Sequence, residues 1–209
     1  MGKFIQKVAH LADIHIRKIP TRNDEYKKVF NNLYSSLEEN KPDRIVIVGD
    51  LLNDFLDLQG EQLVLAKEFL TRLSEIALVI ITRGNHEMRK SNLNRKDTVS
   101  TIVEILDNPN IVYYNKTGFY RDNDVIWAVW HHGEEKNNPW KKKKEIPSID
   151  DNITIIDLFH DPVNGCISDN NLEMKNNLYY KLSDFKGEYG FWGDIHKHQY
   201  LDKNKKKAS

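Results

Sequence analysis

A single cysteine, Cys166, stands in a chain of 209 residues, so no intrachain disulfide can form and the fold must rest on its core. That usage suits a reducing compartment. Apolar runs are short as well, and none approaches the roughly 18 residues that a membrane-spanning helix needs. The N-terminal "MGKFIQKVAH" passes straight into a strand-like segment without the apolar core of a signal peptide. Its Met-Gly start lacks the Ser or Thr at position 6 that myristoylation favours. No membrane partner is expected. The expected location is cytoplasmic, at the nucleoid, or in a host cytoplasm if the chain is viral. Charge of one sign is not in excess either: 31 Lys and Arg face 31 Asp and Glu. A surface that attracts polyanions is therefore not announced by the whole chain, only by local clusters. No internal repeat is visible.

What is present is a globular composition, 39% hydrophobic and 30% charged, long enough for one large domain with its own core. Residues 24–39 carry Tyr26, Val29, Phe30, Leu33, Tyr34 and Leu37, spacing that predicts an amphipathic helix. Residues 61–74 predict a second, and 97–106 a third with Asp97 as N-cap. Between them lie "KVAHLAD" (7–13), "RIVIVGD" (44–50) and "LVIITRGN" (78–85), near-continuous apolar runs of the kind that form buried strands. The pattern then changes to consecutive strands: "IVYY", "GFYR", "VIWAVWHH", "ITIIDLFH" (153–160) and "YGFW" (189–192). "NNPWKKKKEIPSIDDN" (137–152) reads as a loop. An α/β half followed by a β-rich half predicts a layered sandwich of two sheets with helices outside.

Polar residues gather where the strands end. Asp13 and His15 follow the first strand, Asp50 the second, Asn85 and His86 the third. His160 ends a later strand, and Asp194 and His196 follow the last. Ligands in α/β sheets collect at the carboxyl ends of strands. In an extended segment, positions i and i+2 share a face, so Asp13 with His15, and Asp194 with His196, are expected to converge. A lone strand-end Asp is ordinarily a cap or turn residue and a lone His a surface or core residue, and His131 and His132 are read as the latter. Five strand ends bearing Asp, His or Asn point instead to a metal centre. Mixed oxygen and nitrogen donors suit Mn²⁺, Fe²⁺ or Zn²⁺. Seven ligands exceed one ion's needs, so two ions about 3.5–4 Å apart are expected.

"DIH" (13–15), "GD" (49–50), "GNHE" (84–87), the strand-terminal His160 and "GDIH" (193–196), in that order, resemble the calcineurin-like metallophosphoesterase superfamily. "HLADIHI", "DRIVIVGDLLND" and "GDIHKHQ" are similar to the SbcD-type DNA-repair nucleases within it. The resemblance implies a four-layer α/β/β/α sandwich of two mixed sheets and a dinuclear Mn²⁺ centre. It implies Asp13, His15 and His196 on one ion, Asp50 bridging, and Asn85, His160 and Asp194 on the other, with His86 as general acid. It implies 3′–5′ exonuclease and endonuclease activity on DNA in double-strand-break repair or replication. The implied partners are an SbcC-type ABC-ATPase and a second copy of the chain in a homodimer.

Three departures stand out. The closing motif is usually Gly-His-x-His, so Asp194 occupies a histidine's place. Asn53 stands where a His often follows the bridging Asp, and it is expected to donate to a phosphate oxygen. The family usually continues into a capping domain, so residues 1–209 are expected to be a nuclease domain that is C-terminally incomplete. The alternatives are a metallophosphatase or small-nucleotide phosphodiesterase, or a non-catalytic binding module of the same fold. Protein phosphatases usually carry Asp-Arg-Gly after the second motif, and "GDLLNDF" lacks it. Lysine clusters at 141–144, beside Trp140, and at 203–207 are weighed as a DNA-tracking surface, with Trp140 offering a stacking face, against ordinary solvated loops.

Overall fold

The computed structural model describes residues 4–53, 59–87, 96–131, 134, 138–141, 152–175 and 180–209. The chain divides into two compact units, Gln6–Tyr114 and Asn115–Ser209 with Met1–Ile5.

The Gln6–Tyr114 unit alternates strands with helices. Its strands are β1 (Val8–Leu11), β2 (Arg44–Val48), β3 (Leu78–Thr82) and β4 (Ile111–Tyr114), in sheet order β1-β2-β3-β4. Every pairing is parallel. Ile45 and Ile47 enter one core, and Val46 and Val48 on the opposite face are equally shielded from solvent. Cover on both faces is why these strands are apolar without alternation. The helices are α1 (Asn23–Asn40), α2 (Gly60–Ile76) and α3 (Thr98–Leu106). Phe30 and Leu37 of α1 meet Leu65, Phe69 and Leu73 of α2, with Val99 and Ile102 of α3 in the same cluster. The Phe30 and Phe69 rings lie 4.2 Å apart; truncating such a ring to Ala costs about 3–5 kcal/mol. Asp97 caps α3 as the sequence predicts, accepting from Ser100 N at 2.7 Å.

The second unit holds β5 (Gly118–Asp122), β6 (Val125–Trp130), β7 (Thr154–His160), β8 (Tyr189–Gly193) and β9 (Lys207–Ala208), ordered β5-β6-β7-β8-β9. Only β5 and β6 pair antiparallel; the other neighbours are parallel. The α/β architecture with two sheets is as expected, with one refinement: the first sheet is purely parallel and only the second is mixed. On one face Trp130, Phe159 and Trp192 join Phe185, Val163 and Cys166 in an aromatic-rich core. Strand β9 was not foreseen, because a lysine run carries no strand signal. There Lys207 sits in the ladder beside Gly190 and Lys206 donates to Glu188 at 2.7 Å. These two lysines of the 203–207 cluster are thus half-buried and tied into the fold.

Candidate metal centre

Parallel pairing of β1, β2 and β3 puts their carboxyl ends along one edge, so residues far apart in sequence become neighbours. Asp50, with no solvent exposure, lies at the centre of that edge. His15 Nε2 is 3.7 Å from Asp50 Oδ2 and 3.8 Å from Asp13 Oδ1. His86 Nε2 is 3.8 Å from the same Asp50 oxygen. One donor atom each from His15, Asp50 and His86 lie within 4.8 Å of one another. Donors about 2.0–2.2 Å from a shared ion sit about 3–4.4 Å apart. For Asp13, His15 and Asp50 the spacing is therefore too long for hydrogen bonds and right for joint ligands. Carboxylate and imidazole donors without thiolate fit a Mn²⁺-, Fe²⁺- or Zn²⁺-class cation. Asn85 is half-buried in the same turn, between Gly84 and His86.

The local backbone explains the convergence, and it corrects the extended-strand reasoning. Asp13 (φ 55°), His15 (φ 48°) and Asp50 (φ 52°) are all left-handed. Beyond Leu11 the chain is not a strand, so Asp13 and His15 approach through a turn and not through period-two alternation. Asp, Asn and His tolerate this region best, yet it costs of order 1–2 kcal/mol per residue. The surroundings hold it in place. His15 N donates to Asp50 O at 2.9 Å and Ile16 N to Leu51 O at 3.0 Å. Tyr26 of α1 donates to His15 O at 2.6 Å, and Gln62 of α2 to Ile16 O at 2.6 Å.

Glu87 was missed as a functional residue although it lies within "GNHE". Its buried carboxylate accepts from Gly84 N (2.7 Å), Asp50 N (3.1 Å) and Leu52 N (3.3 Å). It thereby fastens the β3 turn to the Asp50 turn. A Cβ on Gly84 would lie 2.1 Å from Asp50 Oδ1, so only glycine allows that approach.

His86 has a defined tautomer. Its Nδ1 is 2.6 Å from Asn53 O. A carbonyl only accepts, so Nδ1 carries a hydrogen and the exchangeable position is Nε2, the atom facing Asp50. Asn53 thus acts here through its main chain.

In the second unit, β7 and β8 are parallel neighbours with His160 registered on Gly193. His160 Nε2 consequently lies 3.9 Å from Asp194 Oδ1, another ligand-like spacing. Asp194 is also left-handed (φ 67°), so the expected i, i+2 alignment with His196 does not apply. His196 Nδ1 lies instead 3.4 Å from Asp169. Asp169 carried no sequence signal.

The candidate DNA-tracking residues fare differently. Trp140 is half-buried. Its ring packs edge-on against Phe119 at 5.1 Å, and its Nε1 donates to Asp157 at 2.7 Å. The indole therefore has a packing role in this unit. Lys141 is exposed; Lys142, Lys143 and Lys144 lie outside the described residues, as does His132. His131 is buried, its main-chain N–H donating to Thr117 at 3.1 Å. Asp157 is itself a buried carboxylate, pushed up to about 6 by desolvation. Trp140, Lys207 and Gly187 N–H oppose that shift.

Comparison with known proteins adds the relationships. The chain is 34% identical over 214 residues to "Uncharacterized protein R555" of Acanthamoeba polyphaga mimivirus, covering 96% of this chain and 15% of that one. It therefore spans only about 15% of that relative's length. Among solved structures it is similar to the Pseudomonas putida nuclease MPE, with 15% identity, a TM-score of 0.42, and 80% of this chain and 67% of that chain covered. The calcineurin-like phosphoesterase family model matches residues 6–198. With the family's motif residues at these strand ends and most of its length matched, the chain belongs to the calcineurin-like phosphoesterases.

Proposed function

We propose that the chain is a metal-dependent phosphodiesterase acting on DNA, an SbcD-type nuclease with 3′–5′ exonuclease and endonuclease activity in double-strand-break repair or replication. The observation that carries the reading is His86, its Nδ1 held by Asn53 O and its Nε2 turned toward Asp50. That is a proton donor fixed beside the bridging ligand of a phosphoesterase. The "HLADIHI" and "GDIHKHQ" segments and the missing Asp-Arg-Gly favour the nuclease branch over protein phosphatases.

The proposed ligands are Asp13, His15, Asp50, Asn85, His160, Asp194 and His196, which would hold two Mn²⁺-type ions. Ions held there would supply charge neutralisation of the phosphodiester and activation of water at neutral pH. The residues of the chain do the rest. Nε2 of His86 delivers its proton to the leaving oxygen as the bond to phosphorus breaks. Asn53 offers its side-chain amide to a phosphate oxygen. Glu87 holds Asp50 and the β3 turn in register. An SbcC-type ABC-ATPase and a second copy of the chain are the proposed partners.

The Mn²⁺-loaded protein should be presented with single- and double-stranded DNA, a phosphopeptide and a cyclic nucleotide. Cleavage of DNA is the expected result. Selective hydrolysis of the phosphopeptide or the cyclic nucleotide would move the chain to the phosphatase or small-nucleotide branch. No hydrolysis and no metal uptake would make it a binding module.

A further inference from the structure

We infer that Asp169, at the tip of a hairpin spanning residues 165–174, is a positioning residue for His196; the inference rests on His196 being a metal ligand, as proposed above.

The hairpin is internally well bonded. Gly165 N donates to Met174 O at 2.9 Å, Met174 N to Cys166 O at 2.8 Å and Ser168 N to Leu172 O at 2.9 Å. Ile167 and Glu173 form an antiparallel bridge. Its base is anchored by Cys166, buried with Trp130, Phe159 and Val163 and covered by Met174 and Tyr180. Asn171 N donates to Ser168 O at 2.9 Å, closing the turn that carries Asp169.

The rigid hairpin meets the closing motif at three successive points. Asp169 Oδ2 is 3.4 Å from His196 Nδ1. Lys197 donates to the side-chain oxygen of Asn171. Gln199 brackets Ile167 with both amide atoms, accepting from Ile167 N at 2.9 Å and donating to Ile167 O at 2.8 Å. The segment 196–199 has no ladder of its own after β8 ends at Gly193. The hairpin constrains it from one side, while Ser209 donates to Gln199 O and Lys197 O from the other. A carboxylate facing Nδ1 keeps the hydrogen on that nitrogen and leaves the Nε2 lone pair for a cation, the arrangement that outer carboxylates give to metal-binding histidines. An isolated surface pair of this exposure would do little. Here the two flanking contacts hold Asp169 and His196 in one register.

The test uses ¹⁵N-labelled protein of residues 1–209 and the Asp169→Ala, Asp169→Glu, Asn171→Ala and His196→Ala variants. Long-range ¹H–¹⁵N spectra of the metal-free protein read the His196 tautomer, and titration with Mn²⁺ alone reads affinity. Wild type should hold the Nδ1–H tautomer and bind two equivalents. Asp169→Ala should lose that preference and bind one equivalent about 10–100-fold more weakly. Asp169→Glu should recover part of both effects, and Asn171→Ala, which removes one of the two flanking contacts, should weaken the tautomer preference less than Asp169→Ala does. An unchanged tautomer and affinity in Asp169→Ala overturns the assignment, and so does an equal effect from Asn171→Ala. Two equivalents retained at full affinity by His196→Ala would remove His196 from the ligand set and this inference with it, leaving the nuclease reading standing. No Mn²⁺ uptake by wild type would overturn both.

Discussion

At the scale of the residue, the site trades backbone comfort for convergence. Asp13, His15, Asp50 and Asp194 all occupy the left-handed region, where a side chain other than glycine's is strained. Such strain persists only where neighbours outweigh it, and around His15 and Asp50 the bonds from Glu87, Tyr26 and Gln62 do so. His86 differs from these candidate ligands. Its Nδ1 is taken by Asn53 O and its side chain is 43% exposed, so the imidazole is open to a substrate. His86→Ala should therefore leave Mn²⁺ affinity near that of wild type and lower the hydrolysis rate about 10²–10⁴-fold, as for a lost general acid. Single-turnover kinetics beside a metal titration separates the two effects. Full activity on DNA in this variant would take the acid role away from His86.

At the scale of the element, β7 carries a charged side chain among apolar ones. Asp157 stands between Ile155 and Phe159 on one face, tied to Trp140, to Gly187 N–H at 2.7 Å and, at 3.9 Å, to Lys207 of β9. A Cβ on Gly187 would lie 2.6 Å from its oxygen, so the close fit depends on that glycine. Burial raises this carboxyl from 3.8 to about 6. The folded state therefore binds the proton more tightly than the unfolded chain between those values. The stability it contributes is complete below about pH 4 and is lost as pH rises through 6, a change on the order of 3 kcal/mol at about 1.4 kcal/mol per unit. Asp157→Asn should flatten the pH dependence of the melting temperature between pH 4 and 6, whatever it does to the absolute value. An identical pH slope in wild type and variant would contradict this role. Within the same unit, Lys206 lies over the Tyr189 ring at 5.0 Å as well as bonding Glu188, so part of the lysine-rich end is structural.

At the scale of the whole molecule, zero net charge and a phosphate-directed activity are compatible if the cations supply the positive charge. Cation binding to the folded state alone must then stabilise it. At a Mn²⁺ concentration about 100 times the dissociation constant the gain is about 2.7 kcal/mol, or roughly 5–10 °C in a chain of this size. Mn²⁺ should raise the melting temperature by that order, EDTA should reverse the rise, and elemental analysis should approach two equivalents. Zero stoichiometry with an unmoved melting temperature would sink the metal reading. Among the described residues no helix is long and apolar enough to cross a membrane, as the short apolar runs of the sequence suggest.

The three helices, β1–β8 and the five polar strand ends were legible in the sequence because each is written in local periodicity or in a short motif: Phe30 and Leu37 of α1, Ile45–Val48 of β2, Asp97 as cap, "GNHE" as turn. What the periodicity left open was decided by contacts between residues distant in sequence. Glu87 reaches Asp50 and Leu52 across separations of 37 and 35 residues. Trp140 is tied to Asp157, 17 residues away. Lys207 becomes a strand residue only because Gly190 lies beside it. Asp169 faces His196 only because Gln199 and Ile167 lock two loops together. The left-handed turns at Asp13, Asp50 and Asp194 follow the same rule. A strained torsion has no one-dimensional signature, and it exists only where the completed hydrogen-bond network holds it.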